Sequence, residues 1–149
     1  MPSNRTHCLF PVSNQDIADW AEAYVRAQQD PDLLLCAEHP QWWAVERLLS
    51  FSAAGRFEDC WRMMLAVLRI TSDPEVLGVL AAGPLEDLIE RAGPVFVDRI
   101  EWHAWTDPVF RQLLDGTWPC GSPEIRARID SARRWGSRAA LQGSPHRVH

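Results

Sequence analysis

The chain contains no lysine, and all fifteen of its basic residues are arginine. Without lysine there is no Walker-type phosphate-binding motif. No Gly-x-Gly-x-x-Gly follows a strand-like segment and no His-Glu-x-x-His occurs, so nucleotide-dependent and zinc-peptidase chemistry have no motif behind them. No apolar run approaches the roughly 18 residues needed to span a bilayer. The start, Met1-Pro2-Ser3-Asn4-Arg5, lacks the apolar segment of a secretory signal. The four cysteines (Cys8, Cys36, Cys60, Cys120) form no Cys-x-x-Cys pair, which predicts reduced thiols in a cytoplasm. Segments alternating apolar and polar residues over strand length are missing as well, so the expected fold is all-α.

What is present is tryptophan and an uneven charge. Eight tryptophans stand against one tyrosine. A chain of 149 residues is long enough for one domain with a real core. The net charge of −5 argues against general nucleic-acid binding, which needs cations to displace phosphate counterions. Between Glu75 and Trp118 lie Glu75, Glu86, Asp87, Glu90, Asp98, Glu101, Asp107 and Asp115, against Arg91, Arg99 and Arg111. From Pro119 onward only Glu124 and Asp130 oppose Arg126, Arg128, Arg133, Arg134, Arg138 and Arg147. An acidic middle followed by a basic end points to a charged partner, and a solvated face explains it equally.

Read for organisation, residues 1–12 form an arm, 13–135 a single compact helical domain, and 136–149 a flexible tail. Ser13 with Asp16 three residues on resembles a capping box, opening a helix with Ile17, Trp20, Ala21 and Tyr24 on one stripe. Leu33 to Cys36 is a short apolar turn. A helix after His39-Pro40 ends at Ala53-Ala54-Gly55, a left-handed cap. Phe57 to Ile70 is apolar on most sides, which makes it central. Four further starts follow at Asp73-Pro74, Gly83-Pro84, Gly93-Pro94 and Asp107-Pro108, each a cap-forming residue before a proline that suits the first helical position. A last helix opens at Ser122-Pro123-Glu124. The connections are short enough to predict about seven to eight short helices packed as hairpins, with solenoid-like stacking open to them.

The words Ala81-Ala82-Gly83-Pro84-Leu85-Glu86-Asp87-Leu88, then Gly93, Ile100-Glu101, Asp107-Pro108-Val109-Phe110-Arg111 and Gly116-Thr117-Trp118 resemble a small bacterial family of unknown function. Its members carry Ala-Ala-Gly-Pro-Leu-Glu-Asp-Leu, a Gly, an Ile-Glu pair, Asp-Pro-x-Phe-Arg and Gly-x-Trp. Family members often have an Ala-rich stretch before the Asp-Pro, where this chain has Trp102-His103-Ala104-Trp105. The resemblance implies a compact bacterial helical domain and transfers no catalytic residue.

Several constellations each have a plain structural reading beside a functional one. Glu86, Asp87 and Glu90 form a carboxylate cluster suited to acid–base work or a hard cation. With Gly83 as cap, Glu86 is simply the third helical residue bonding back to it. Glu101 near Trp105 is a candidate general acid, or one half of an ion pair with Arg111 or Arg99 joining two helices. His103, the only histidine in a predicted helix, suits proton transfer, or is an exposed or capping residue. Cys36 and His39 have metal-ligand spacing but no second pair, so no metal or cofactor is expected. Trp20, Trp61 and Cys60 fall on core stripes, whereas Trp42 and Trp43 point about 100° apart and Trp102 and Trp105 lie on neighbouring sides of one helix. Arg126 and Arg133 share a side near the basic end, where a solvated helix end competes with a nucleic-acid contact.

No catalytic set emerges. The leading expectation is a non-enzymatic binding module that occludes a basic protein, in the manner of an immunity or adaptor protein, through Glu86, Asp87, Glu90, Asp98, Trp102 and Trp105. An enzyme would need Glu86, Glu101 and His103 to converge in one pocket. A homo-oligomeric structural protein would bury the exposed indoles at a two-fold contact.

Overall fold

The computed structural model describes residues 12–32 and 38–146, with side chains as far as Gly136. The arm up to Pro11 and the Leu33–Cys36 turn lie outside the described residues. The described residues are helical, with no strand among them. The chain divides into two compact units, Met1–Thr71 and Ser72–His149.

The first unit holds α1 (Asn14–Gln29), α2 (Trp42–Ala53) and α3 (Phe57–Ile70). Ser13 caps α1 as its sequence predicts, its Oγ accepting from the Asp16 N–H at 3.1 Å. Gly55 ends the α2 turn at φ +77°, a conformation that suits a residue without Cβ. Trp20 is fully buried, meets Phe51 edge to face at 5.1 Å and donates its indole N–H to the Ala44 carbonyl at 2.8 Å. On α3 the residues Phe57, Cys60, Trp61, Met63, Met64, Ala66 and Val67 are all buried, so this helix is central to its unit. Arg62 ties it to the start of α1, donating to the Val12 carbonyl at 2.6 Å and the Asn14 side chain at 2.8 Å. Trp42 is half-buried while Trp43 stays exposed beneath the Arg47 guanidinium, 4.8 Å from its ring.

The second unit holds α4 (Pro74–Leu80), a π-helical segment (Ala81–Leu85), α5 (Glu86–Thr106), α6 (Pro108–Asp115) and α7 (Pro123–His146). Both Asp-Pro starts are real. Asp73 accepts from the Glu75 N–H at 3.0 Å and Asp107 from the Val109 N–H at 2.9 Å, with proline at the first helical position. Of the two Gly-Pro starts, the one at Gly83-Pro84 is not. Helical backbone runs through Gly83-Pro84, so no hairpin is made there, whereas at Ala92 it leaves helical geometry and a second helical stretch starts at Gly93-Pro94, across a kink rather than a hairpin. Pro84 sits inside the π segment, whose wider turn accommodates the ring and the missing donor. Ahead of Pro94 the chain kinks at Ala92, with φ −138° and ψ 20°.

Helix continues past Trp135, where the compact domain was expected to give way to a tail. α7 continues to His146, and Gly136 is buried within it. A Cβ at Gly136 would lie 2.3 Å from the Ala104 carbonyl oxygen and 2.8 Å from Arg111 Cδ. Gly93 likewise faces Ile125, where a Cβ would come within 3.2 Å. These contacts advance together along both helices, so α7 runs parallel to α5, and α6 makes the return between them. Arg111 on α6 donates to the same Ala104 carbonyl at 2.7 Å.

This packing makes Gly136→Ala destabilising by about 1–3 kcal/mol, because the methyl meets backbone rather than a movable side chain. Gly78→Ala, on an α4 position with open space around it, should instead stabilise by about 0.5–1 kcal/mol. Urea midpoints of the two variants check both signs.

Candidate functional site

The carboxylate cluster at the head of α5 is divided among separate tasks. Glu86 accepts from the Trp118 backbone N–H at 2.8 Å and Glu90 from the Gly121 N–H at 2.5 Å. Asp87 lies 3.5 Å from Arg91, one turn on. Gly83 is no cap, because helix continues on both sides of it, so Glu86 is free to serve the α6–α7 loop instead. One helix therefore holds two amides of that loop, while the Trp118 indole projects from it, 75 % exposed. Cys120, in the same loop, has its thiol pushed up to about 11 by burial, then by the negative charges of Glu86 and Glu90, with Arg126 opposing.

Glu101 is an ion-pair residue, but its partner is neither Arg111 nor Arg99. Arg128 on α7 grips it with two hydrogen bonds, at 2.5 and 2.9 Å, and reaches Asp98 at 2.6 Å. The hydrogen bonds to Glu101 and then Asp98 hold the Arg128 guanidinium above its ordinary pKa. Arg99 lies over the Phe96 ring at 4.8 Å. Asp98 remains 84 % exposed at its side chain, against 16 % for Glu101.

His103 lies in the last turn of α5 and is not exposed. It is half-buried, edge-on to Trp102 at 4.9 Å and tilted against Phe110 at 5.2 Å. Burial lowers its pKa, with Asp107 opposing. Thus Glu86 faces the α6–α7 loop, Glu101 faces α7, and His103 faces α6. The convergence that an enzyme reading required is not made. A cavity of only about 30 Å³ beside that loop is lined by Ile89, Cys120 and Ile129 with Arg126, Asp130 and Arg133 at its edge, and by none of the three. The two edge arginines are engaged: Arg126 with the Gly121 carbonyl, Arg133 with Asp130 at 3.0 Å. His39 also has both ring nitrogens occupied. Nδ1 accepts from the Gln41 N–H at 3.0 Å, and Nε2 sits 2.7 Å from Asp30. Cys36 and the His7-Cys8 pair lie outside the described residues.

What the second unit leaves open is an aromatic face. The inner side of α5 buries Phe96, Val97, Ile100 and Ala104. Its outer side presents Val95, Asp98, Trp102 and Trp105, with Val95 65 %, Trp102 58 % and Trp105 49 % exposed. Trp135 on α7 is exposed too. It lies seven residues past Arg128, hence on the same side of α7, and beside Gly136, which abuts Ala104. The sequence reading found Trp102, Trp105 and Asp98. It missed Val95 and Trp135, and it quoted Trp118 only as part of a motif. The signal for Val95 was present, as a second apolar stripe offset from the first along one helix.

Replacing Glu86 and Glu90 together by glutamine should lower the Cys120 thiol from about 11 while leaving it above its ordinary value, since burial persists. The pH profile of alkylation, read in a chain with the other cysteines replaced, measures this. For His103, the folded pKa lies below the unfolded one, so the unfolded state binds the proton first as pH falls. Stability should therefore decline as pH drops through the ordinary histidine value of 6.5 toward the lower folded value, and His103→Phe should remove that part of the slope, seen by denaturant titration across that window.

The model of a family of unknown function (DUF6869) matches residues 35–136. Neither the curated proteins nor the solved structures contain a match. The family match ends at Gly136, which abuts the Ala104 carbonyl of α5, and takes in α2 to α6 whole. It covers well over half of the sequence: the chain belongs to this family of unknown function.

Proposed function

We propose that this chain is a non-enzymatic protein-binding module of a bacterial cytoplasm, an immunity-type or adaptor protein that covers a basic partner such as a toxin domain. The observation that carries this reading is the outer side of α5, where Val95, Trp102 and Trp105 remain exposed on a helix whose inner side is already packed. Contiguous exposed aromatics of this kind mark interaction sites rather than ordinary surface. The contact set is Glu86, Asp87, Glu90, Asp98, Trp102 and Trp105, with Glu86 and Glu90 acting through the loop that presents Trp118. The acidic excess of α5 supplies steering toward a basic partner. The Ala81–Trp118 words are taken as the family's shared pattern. Cys60 and Cys120 as free thiols suit a reducing compartment, and no helix among the described residues is long and apolar enough to cross a membrane.

The test is co-purification of the tagged chain from its native host at low and high salt. A defined basic protein should co-elute, be released as salt rises, and be lost with W102A/W105A. Elution alone under all conditions overturns the reading. So does concentration-dependent self-association abolished by the same substitutions, which would make the face a two-fold contact.

A further inference from the structure

We infer that the element recognised by the outer side of α5 is a basic amphipathic helix, seated lengthwise along Val95, Asp98, Trp102 and Trp105; this rests on the binding reading above. The four positions are spaced three, four and three, the spacing of a seam between two helices packed side by side. All four lie beyond the kink at Ala92, on the straight part of α5, so the seam is continuous for about 15 Å, close to three turns. The described residues contain no strand and so offer an extended peptide no sheet edge to join. A helix laid in a groove is the mode that this geometry serves.

The charge pattern sets the occupant's polarity. Three seam positions are apolar and the fourth is Asp98. Covering Asp98 removes water from a carboxylate that has more acceptor sites than the single 2.6 Å bond from Arg128 uses. A guanidinium or ammonium facing it restores the balance. Asp98 and Glu101 at the seam, with Glu86, Asp87 and Glu90 before the kink, outnumber Arg91, Arg99 and the Arg128 of α7, so flanking cations are favoured over flanking acids. At the far end Trp105 and Trp135 add exposed indole surface. The matching helix has an apolar stripe interrupted by one cation and basic flanks.

The probes are three synthetic peptides of about 20 residues, long enough to hold a helix. One is an arginine-rich amphipathic sequence with leucines at seam spacing. The second has the same composition scrambled so that no stripe forms, and the third has glutamate in place of arginine. Titration is followed by tryptophan emission and calorimetry on the full chain. The first peptide should bind and gain helicity. W102A/W105A should weaken it by about tenfold or more, and D98N should weaken it less and flatten its salt dependence. The scrambled and acidic peptides should bind much more weakly. Equal binding of the scrambled peptide overturns the helical occupant while leaving a basic partner standing. Equal or better binding of the acidic peptide overturns both. Binding that W102A/W105A leaves unchanged places the peptide elsewhere and overturns the inference.

Discussion

The second unit depends on a backbone-to-backbone approach, Gly136 of α7 against the carbonyl of Ala104 on α5. With no Cβ at position 136, the two helices lie closer there than side chains would permit. That contact and the Gly93–Ile125 contact fix the register of α7 along α5. The register then decides which charges meet. It sets Arg128 opposite Asp98 and Glu101, and it leaves the α6–α7 loop within reach of Glu86 and Glu90. The ion pairs are consequences of this packing rather than its cause, since exposed pairs contribute little by themselves.

Much of this was legible in the residues, and the failures share one origin. Aspartate before proline ended and restarted helices as expected, because its side chain supplies an acceptor for the new helix's unpaired N–H groups. Glycine before proline offers no such acceptor. At Pro84 nothing rewards a break and the turn widens instead, whereas before Pro94 the helix does break, at Ala92, by a kink without a hairpin. Apolar periodicity located Trp20, Trp61 and Cys60 in the interior because core burial is written at spacings of three and four. Carboxylate partners are not written that way. Trp118 and Gly121 lie 32 and 31 residues from the glutamates they bind, and Arg128 lies 27 from Glu101. Only the fold brings these together.

The acidic block consequently changes meaning. Read in sequence, its carboxylates look like a free exterior. In the fold, Glu86 and Glu90 order a loop and Glu101 joins two helices. Asp98, Trp102 and Trp105 share the outward side of α5, whereas Glu86 and Glu90 lie before the kink and hold the α6–α7 loop. The loop clamp has a further effect, in that it fixes the backbone carrying an exposed indole and so reduces the ordering that binding must supply.

That narrowing sets the balance between affinity and specificity. An indole side chain offers about 150–250 Å² of surface, and about 25 cal/mol follows from each Å² removed from water. Covering the exposed halves of Trp102 and Trp105 is thus worth about 2–3 kcal/mol each. Lost translational and rotational freedom on association costs about 4–15 kcal/mol, so the indoles alone would barely hold a partner. Further apolar contact, at Val95 and Trp135, has to make up the difference, which favours a partner long enough to touch both α5 and α7. The carboxylates add little net affinity once desolvated. On the proposed reading their contribution would be to reject acidic surfaces and to orient cationic ones during approach, so that choice of partner would rest with Asp98 and its neighbours and retention with the aromatic strip.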